Sequence, residues 1–329
     1  MKMKITIIGG SGFVGTNLCR ELYLKRQDFE IIDLKMSKQF PNCCKIADVR
    51  DIDSLRHTIT GDVVINLAAV HRDDVHDKSE YYNTNVLGAE NVAFLCAEKE
   101  IKKIVFTSSV AVYGFASPGT DENGAIEPFN EYGKSKFVAE ERFRDWQSAT
   151  NSSLIIIRPT VIFGEGNRGN VYNLLKQIAS GKFLMVGLGS NKKSMAYIGN
   201  IVALLEACIL MKTKYGLYNY IDTPDLTMND LVSLVRQRLM GKSGPGLRLP
   251  YWLGLLFGYL ADGISKFSGN NYPISALRVK KFNSSTEFKS SNLDLIDFTP
   301  PFRLSEGLER TIQSEFISPD PHREIFFTE

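Results

Sequence analysis

Lys4-Ile5-Thr6-Ile7-Ile8-Gly9-Gly10-Ser11-Gly12-Phe13-Val14-Gly15-Thr16 is the stretch on which the reading of this chain turns. The β-branched run up to Ile8 predicts a short buried strand, ended by a glycine turn. From Thr16 to Leu22 the apolar residues take helical spacing. Strand, Gly-x-Gly-x-x-Gly turn and helix form the context in which glycines cradle a pyrophosphate on a helix N-terminus. A second strand, Glu30-Ile31-Ile32-Asp33-Leu34, puts the Asp33 carboxylate 18 residues past Gly15. A carboxylate at that spacing suits the adenine-ribose hydroxyls and repels a 2′-phosphate, which favours NAD over NADP.

At 329 residues the chain has room for one large domain, or one domain with a smaller lobe. A net charge of +2 argues against a dedicated nucleic-acid binder. Residues 181–290, however, carry fourteen Lys/Arg against six Asp/Glu. That excess reads either as a solvated basic face or as attraction to a phosphate-bearing substrate or an anionic membrane surface. Cys19, Cys43, Cys44, Cys96 and Cys208 have neither metal-ligand nor redox spacing, and no metal is expected. The first apolar run belongs to the predicted strand rather than to a signal peptide, and a reducing cytoplasm fits.

Strand and helix patterns alternate through the first half. Strands are expected over Cys43 to Ile46, from Asp62, over Lys103 to Ser109 and over Leu154 to Pro159, with helices over Tyr82 to Glu100 and Tyr132 to Ser148. Strands that are apolar throughout and separated by helices imply a doubly wound α/β domain with a parallel sheet covered on both faces. This Rossmann-type domain is placed at 1–163. Residues 164–329 are expected mainly to form a smaller mixed substrate lobe, with some segments returning to the sheet. Leu249 to Ala261 is uncharged for 13 residues, too short for a span of about 20. It is expected either to lie in a membrane interface, with Tyr251, Trp252 and Tyr259 at headgroup level, or to bury in the small lobe.

Tyr132 and Lys136 stand four apart on one predicted helix face, downstream of the strand-end Ser109. A tyrosine works as a base near neutral pH only if its pKa falls by roughly 3 units from about 10, which takes about 4 kcal/mol of phenolate stabilisation. The Lys136 ammonium and a positive nicotinamide ring could supply it, and the Ser109 hydroxyl would hold the same substrate oxygen.

These motifs resemble the extended short-chain dehydrogenase/reductase family, the NAD-dependent epimerases and dehydratases, over nearly the whole chain. The resemblance rests on Gly9-x-x-Gly12-x-x-Gly15, Asp33, Asp48-Val49, Asn66-Leu67-Ala68-Ala69, Asn85-Val86-Leu87-Gly88, Ser108 to Gly114, Tyr132-x-x-x-Lys136 and Arg158-Pro159. It implies NAD held by Gly9, Gly12, Phe13, Val14, Gly15 and Asp33, with Asp48 and Val49 at the adenine. It also implies Ala68, Ala69 and Pro159 against the cofactor, Asn85 in support, and Ser109, Tyr132 and Lys136 as the catalytic trio. Helices starting near Tyr82 and Tyr132 would form a homodimer contact.

Further strings narrow the resemblance to the family's 4-epimerases of lipid-linked amino sugars in O-antigen synthesis. They are His71-Arg72-Asp73-Asp74-Val75, Gly164 through Leu175, Lys193 through Tyr197 and Arg278 through Phe282. The implied reaction interconverts N-acetylglucosamine and N-acetylgalactosamine on undecaprenyl diphosphate, at the cytoplasmic face of the inner membrane. Arg168 and Lys193 are then candidates for the diphosphate, and His71 and Asn173 for the remaining substrate contacts. A UDP-N-acetylhexosamine 4-epimerase and a 4-keto-sugar reductase would use the same trio, and a non-catalytic NAD-sensing module would not need it. A dehydratase would carry an Asp-Glu pair after Ser109, where this chain has Val110 and Ala111.

Overall fold

The computed structural model describes residues 3–72, 75–268 and 275–328. Asp73 and Asp74 of the narrower motif lie outside these. The chain opens with strand β1 (Lys4–Ile8), helix α1 (Phe13–Leu24), β2 (Asp28–Asp33), β3 (Cys44–Ile46), α2 (Ile52–Arg56) and β4 (Val63–Asn66). After β4 come one helical turn, α3 (Ser79–Tyr81), a π-helical stretch over Tyr82–Leu87, and α4 (Gly88–Glu98). The next elements are β5 (Lys103–Thr107), α5 (Glu131–Thr150), β6 (Ser153–Pro159), β7 (Val161–Phe163) and α6 (Asn170–Ala179). The second half continues with β8 (Met185–Val186), β9 (Met195–Tyr197), α7 (Ile198–Leu210), β10 (Tyr215–Tyr220) and α8 (Met228–Met240). It ends with β11 (Arg248–Leu249), α9 (Tyr251–Ser268), α10 (Ala276–Asn283) and α11 (Leu304–Ile312).

Seven parallel strands form the central sheet in the order β10-β6-β5-β4-β1-β2-β3. The chain reverses its direction of travel between β1 and β4, and ligands bind in the crevice beyond such a switch point. Successive strand residues feed two separate cores. Ile5, Ile7, Ile31, Ile65, Val105 and Ile155 pack on one face with α1 and α7. Ile8, Ile32, Val64, Ile104, Phe106 and Ile156 pack on the other with α4 and α5. Both faces being covered is why the strands are apolar without alternation. From beyond Phe163, β10 supplies an edge strand of this sheet and α7 packs against α1.

The helix expected over Tyr82–Glu100 starts three residues earlier, with α3, runs through the π stretch and ends with α4 at Glu98. Asn85, buried in the π stretch, turns its amide onto the loop after β4. Glu100, at φ 54°, has already left the helix. The other expected helix is slightly longer than its periodicity predicts. Asn130 caps α5 by accepting from the Gly133 N–H at 2.8 Å, and left-handed Asn151 ends it.

A charge cluster lies inside the second core. Arg158, 2% exposed, donates through Nε and Nη2 to both carboxylate oxygens of Glu140, at 2.8 and 2.6 Å. Its Nη1 donates to the Tyr113 hydroxyl, which donates in turn to Asn219 on β10. This network ties α5, β6 and β10 to the turn after β5. Removing one partner of a buried ion pair leaves an uncompensated charge. Glu140→Ala is therefore expected to cost about 3–5 kcal/mol in urea unfolding, and Glu140→Leu/Arg158→Met clearly less. Equal losses in the two variants would contradict this account.

Candidate active site

A cleft of about 1190 Å³ opens at the carboxyl ends of β1, β2, β4, β5 and β6. Its floor at the switch point is bare backbone. Gly9 has φ 79°, and a Cβ there would lie 2.7 Å from the Ala68 amide nitrogen. A Cβ on Gly15 would lie 2.4 Å from the Gly10 Cα. Only glycine lets the β1 turn, the first turn of α1 and the segment after β4 approach this closely. Helix α1 starts at Phe13 with no side-chain cap, and its first turn lines the cleft. Such a turn presents N–H groups without helical partners and the positive end of the helix dipole.

Asp33 reaches the same cleft from the end of β2. Its Oδ2 accepts from the Ser11 N–H at 2.9 Å and its Oδ1 from the Lys35 N–H at 3.2 Å. A carboxylate has about four acceptor positions, so capacity remains for a sugar diol. Val49, Ala68, Ala69 and Pro159 line the cleft. The Asp48 side chain does not: it binds the Arg50 guanidinium, which lowers the carboxyl pKa. Asn85 is also set back. It accepts from the Val70 N–H and donates to the Val70 carbonyl and the Ser135 hydroxyl, so it fastens the cleft-edge loop to α5.

Ser109, Tyr132 and Lys136 all line this cleft. Ser109 caps the turn Val110–Tyr113, its Oγ accepting from the Ala111 N–H. The first turn of α5 presses on that turn so closely that a Cβ at Gly133 would lie 2.5 Å from the Ala111 carbonyl oxygen. This contact brings the helix carrying Tyr132 up to the loop carrying Ser109. Lys136 sits one helical turn deeper, 2% exposed, with its Nζ 4.3 Å from the Phe106 ring centroid. Burial pushes its pKa down to about 7, and Glu140 one turn further on partly opposes that shift. The Thr107 and Ser108 hydroxyl oxygens are buried with no hydrogen-bond partner among the described residues, and both residues line the cleft.

His71 lines the cleft as well. Its accessible imidazole is held below its usual pKa by the protein packed around it, and Lys136 adds to that effect. The other three residues expected at the substrate lie elsewhere. Arg168 is paired with Glu315 and stacked 4.0 Å from the Tyr172 ring centroid. Lys193 spends its ammonium on the Lys281 and Ser284 carbonyls, at 2.9 and 2.6 Å. Asn173 is exposed on α6 and does not line the cleft. In their place the cleft takes Ser194, Thr286, Phe288 and the terminal segment Glu324–Thr328. That segment is fixed by hydrogen bonds from the Phe326 N–H to the Gly166 carbonyl and from the Arg168 N–H to the Phe326 carbonyl. The Phe326 ring lies 5.7 Å from that of Phe13. The one trace of it in the sequence is the short apolar run Ile325-Phe326-Phe327.

Residues 5–219 match the NAD dependent epimerase/dehydratase family. The chain belongs to that family. It is 50% identical, over 96% of both chains, to the N-acetyl-alpha-D-glucosaminyl-diphospho-ditrans,octacis-undecaprenol 4-epimerase of Escherichia coli O157:H7. The UDP-N-acetylglucosamine 4-epimerase of Methanobrevibacter ruminantium M1, solved with UDP-N-acetylmuramic acid, superposes with a TM-score of 0.74 at 21% identity, over 95% of this chain and 98% of that one. The Bordetella bronchiseptica enzyme WbmG, solved with NAD and UDP, gives 0.74 at 16% identity over 100% and 98%. The cofactor is NAD, as the family's description has it, and the cleft fits it: the glycine cradle would admit a pyrophosphate, and Asp33 keeps acceptor positions that could hold a ribose diol.

Lys136 gives the NAD-free protein a pH signature. Between about pH 7 and the unfolded value near 10.4 the folded state carries fewer protons than the unfolded chain, so stability rises with pH across that window. The slope is at most about 1.4 kcal/mol per pH unit. Urea unfolding at about pH 7 and about pH 9 should show a rise roughly 2 kcal/mol larger in the wild type than in Lys136→Met. Parallel behaviour of the two would mean that Lys136 is not desolvated.

Proposed function

We propose that this protein is a 4-epimerase interconverting N-acetylglucosamine and N-acetylgalactosamine linked to undecaprenyl diphosphate, in O-antigen or related surface-polysaccharide synthesis. The observation that carries this reading is the 50% identity, across 96% of both chains, with the E. coli O157:H7 enzyme of that activity. The protein would act as a peripheral enzyme on the cytoplasmic face of the inner membrane. It would dimerise through α4 and the π stretch before it, where Phe94 and Leu87 are exposed, together with α5.

Tyr132 removes the proton of the sugar 4-hydroxyl through its phenolate oxygen and later returns it, and Ser109 donates a hydrogen bond to the same sugar oxygen. Bound NAD supplies the acceptor, and then the donor, of the C4 hydride. Lys136, desolvated beneath the site, is stabilised as a cation whenever Tyr132 is a phenolate. Each charge therefore favours the other. The 4-keto sugar turns its opposite face inward before the proton comes back from Tyr132, which gives the epimer. His71 and Arg72 line the cleft beside this centre and are the polar groups nearest in sequence to the β4 end. They replace Arg168, Asn173 and Lys193 as the side chains proposed to meet the substrate. Asp33 and the glycine cradle hold the cofactor, with Val49 at the adenine and Ala68, Ala69 and Pro159 along its length.

A carrier of UDP instead of lipid is favoured by the UDP-sugar epimerase that shares this fold. The two readings separate in a paired assay on undecaprenyl-diphosphate-linked and UDP-linked N-acetylglucosamine, with no reductant added. Conversion of the lipid-linked sugar, with a loss of roughly 10²–10⁴ in turnover for Tyr132→Phe, is the expected result. Conversion of the UDP-sugar alone would refute the lipid carrier. A 4-keto sugar consuming NADH, with neither epimerised, would make the protein a reductase.

A further inference from the structure

Helix α9 buries one side and exposes a large apolar one. Gly254 and Gly258 are pressed against the small lobe: a Cβ would lie 2.5 Å from the Val186 Cγ1 at the first and 2.7 Å from the Ala276 Cα at the second. On the remainder of the helix Trp252, Leu256, Phe257, Tyr259, Leu260 and Ile264 are each 48–66% exposed. These exposures put the surface on the outside of the fold, and among the described residues no helix is long and apolar enough to cross a membrane. Contiguous exposed apolar area of this kind marks a partner or a membrane.

The surroundings choose between the two. From residue 248 to residue 283 the chain carries Arg248, Lys266, Arg278, Lys280 and Lys281 against one acid, Asp262. Asp262 is engaged in accepting from the Ala276 N–H at the start of α10. The Lys280 ammonium lies 5.6 Å from the Tyr259 ring and that of Lys281 5.6 Å from the Phe129 ring. Phe129 pairs at 4.6 Å with Phe115, itself 79% exposed. Aromatic and aliphatic side chains bordered by five lysines and arginines, against the one engaged acid of residues 248–283, match the headgroup boundary of an anionic bilayer, and the exposed Glu127 borders the surface at its Phe129 end. A second copy of the same surface would set these cations against one another.

The surface is also joined to the cleft. Helix α10 passes through Ser284 and Ser285 into Thr286 and Phe288, which line the cleft wall. Lys193 pins this passage through the Lys281 and Ser284 carbonyls. Gly114, next to Phe115, lines the cleft on the catalytic side.

We infer that the α9–α10 face, continued by the Phe129–Phe115 pair, seats the enzyme on an anionic lipid bilayer with the cleft beside the membrane surface. The docking gives the lipid-carrier reading its physical route, and its purpose rests on that reading.

Flotation of the full-length protein tests it. The protein is expected to rise with 3:1 phosphatidylcholine:phosphatidylglycerol vesicles and to stay behind with phosphatidylcholine alone. Trp252→Glu/Phe257→Glu and, separately, Lys280→Glu/Lys281→Glu should each lower the bound fraction about tenfold. The first pair should keep the wild-type melting midpoint and its turnover on a detergent-dispersed short-chain polyprenyl-diphosphate sugar. Wild type that ignores anionic vesicles, or variants that float as well as wild type, would overturn the inference. A wild-type dimer that Trp252→Glu/Phe257→Glu makes monomeric, with no vesicle binding by either, would assign the face to a second copy. Vesicle binding together with conversion of UDP-sugar alone would keep the docking and remove the lipid carrier.

Discussion

Much of this structure follows from one close approach, that of the backbone at Gly9 to the backbone at Ala68. No side chain fits between them. The contact sets the end of β1 against the end of β4 at the place where the strand order reverses. It also aims the uncapped N-terminus of α1 into the crevice that the reversal opens. A helix terminus with spare N–H groups is costly to bury without a partner and useful beside an anion. The fold thereby pairs its most exacting backbone geometry with its main binding surface.

Helix α5 carries the chemistry down from that surface into the core. Tyr132, Lys136 and Glu140 are spaced four apart along one face. The first meets the cleft, the second is buried beneath it, and the third is held by Arg158 inside the sheet-facing core. Burial makes the Lys136 charge expensive, so it responds to any charge that forms next to it. Arg158 holds the helix in register with β6 and, through Tyr113 and Asn219, with β10. Stability of the sheet and placement of the reactive groups are therefore served by the same side chains.

The parts legible in the sequence were those that local geometry dictates. Glycines at a forced turn, a carboxylate at a strand end, and a tyrosine and lysine one helical turn apart each declare themselves within a few residues. Fully apolar strands likewise announced a sheet covered on both faces. Contacts between distant segments did not declare themselves. Arg168 had the charge for a diphosphate, yet Glu315, 147 residues away, takes its guanidinium. Lys193 is spent on carbonyls some ninety positions downstream. The terminal Glu324–Thr328 segment lines the cleft by pairing with the loop at Asn167, which no periodicity reveals. The uncharged run beginning at Leu249 could have been interfacial or buried, and only the packing of Gly254 and Gly258 shows that its aromatic side is left outside.

In the proposed reaction a sugar enters the cleft, loses a proton and a hydride, and regains both without leaving it. The most direct test is epimerisation of undecaprenyl-diphosphate-linked N-acetylglucosamine carrying deuterium at C4, with no nucleotide added. N-acetylgalactosamine that keeps the deuterium at C4 is the predicted product. Loss of the label to water, or a strict need for added nucleotide at every turnover, would contradict the claim.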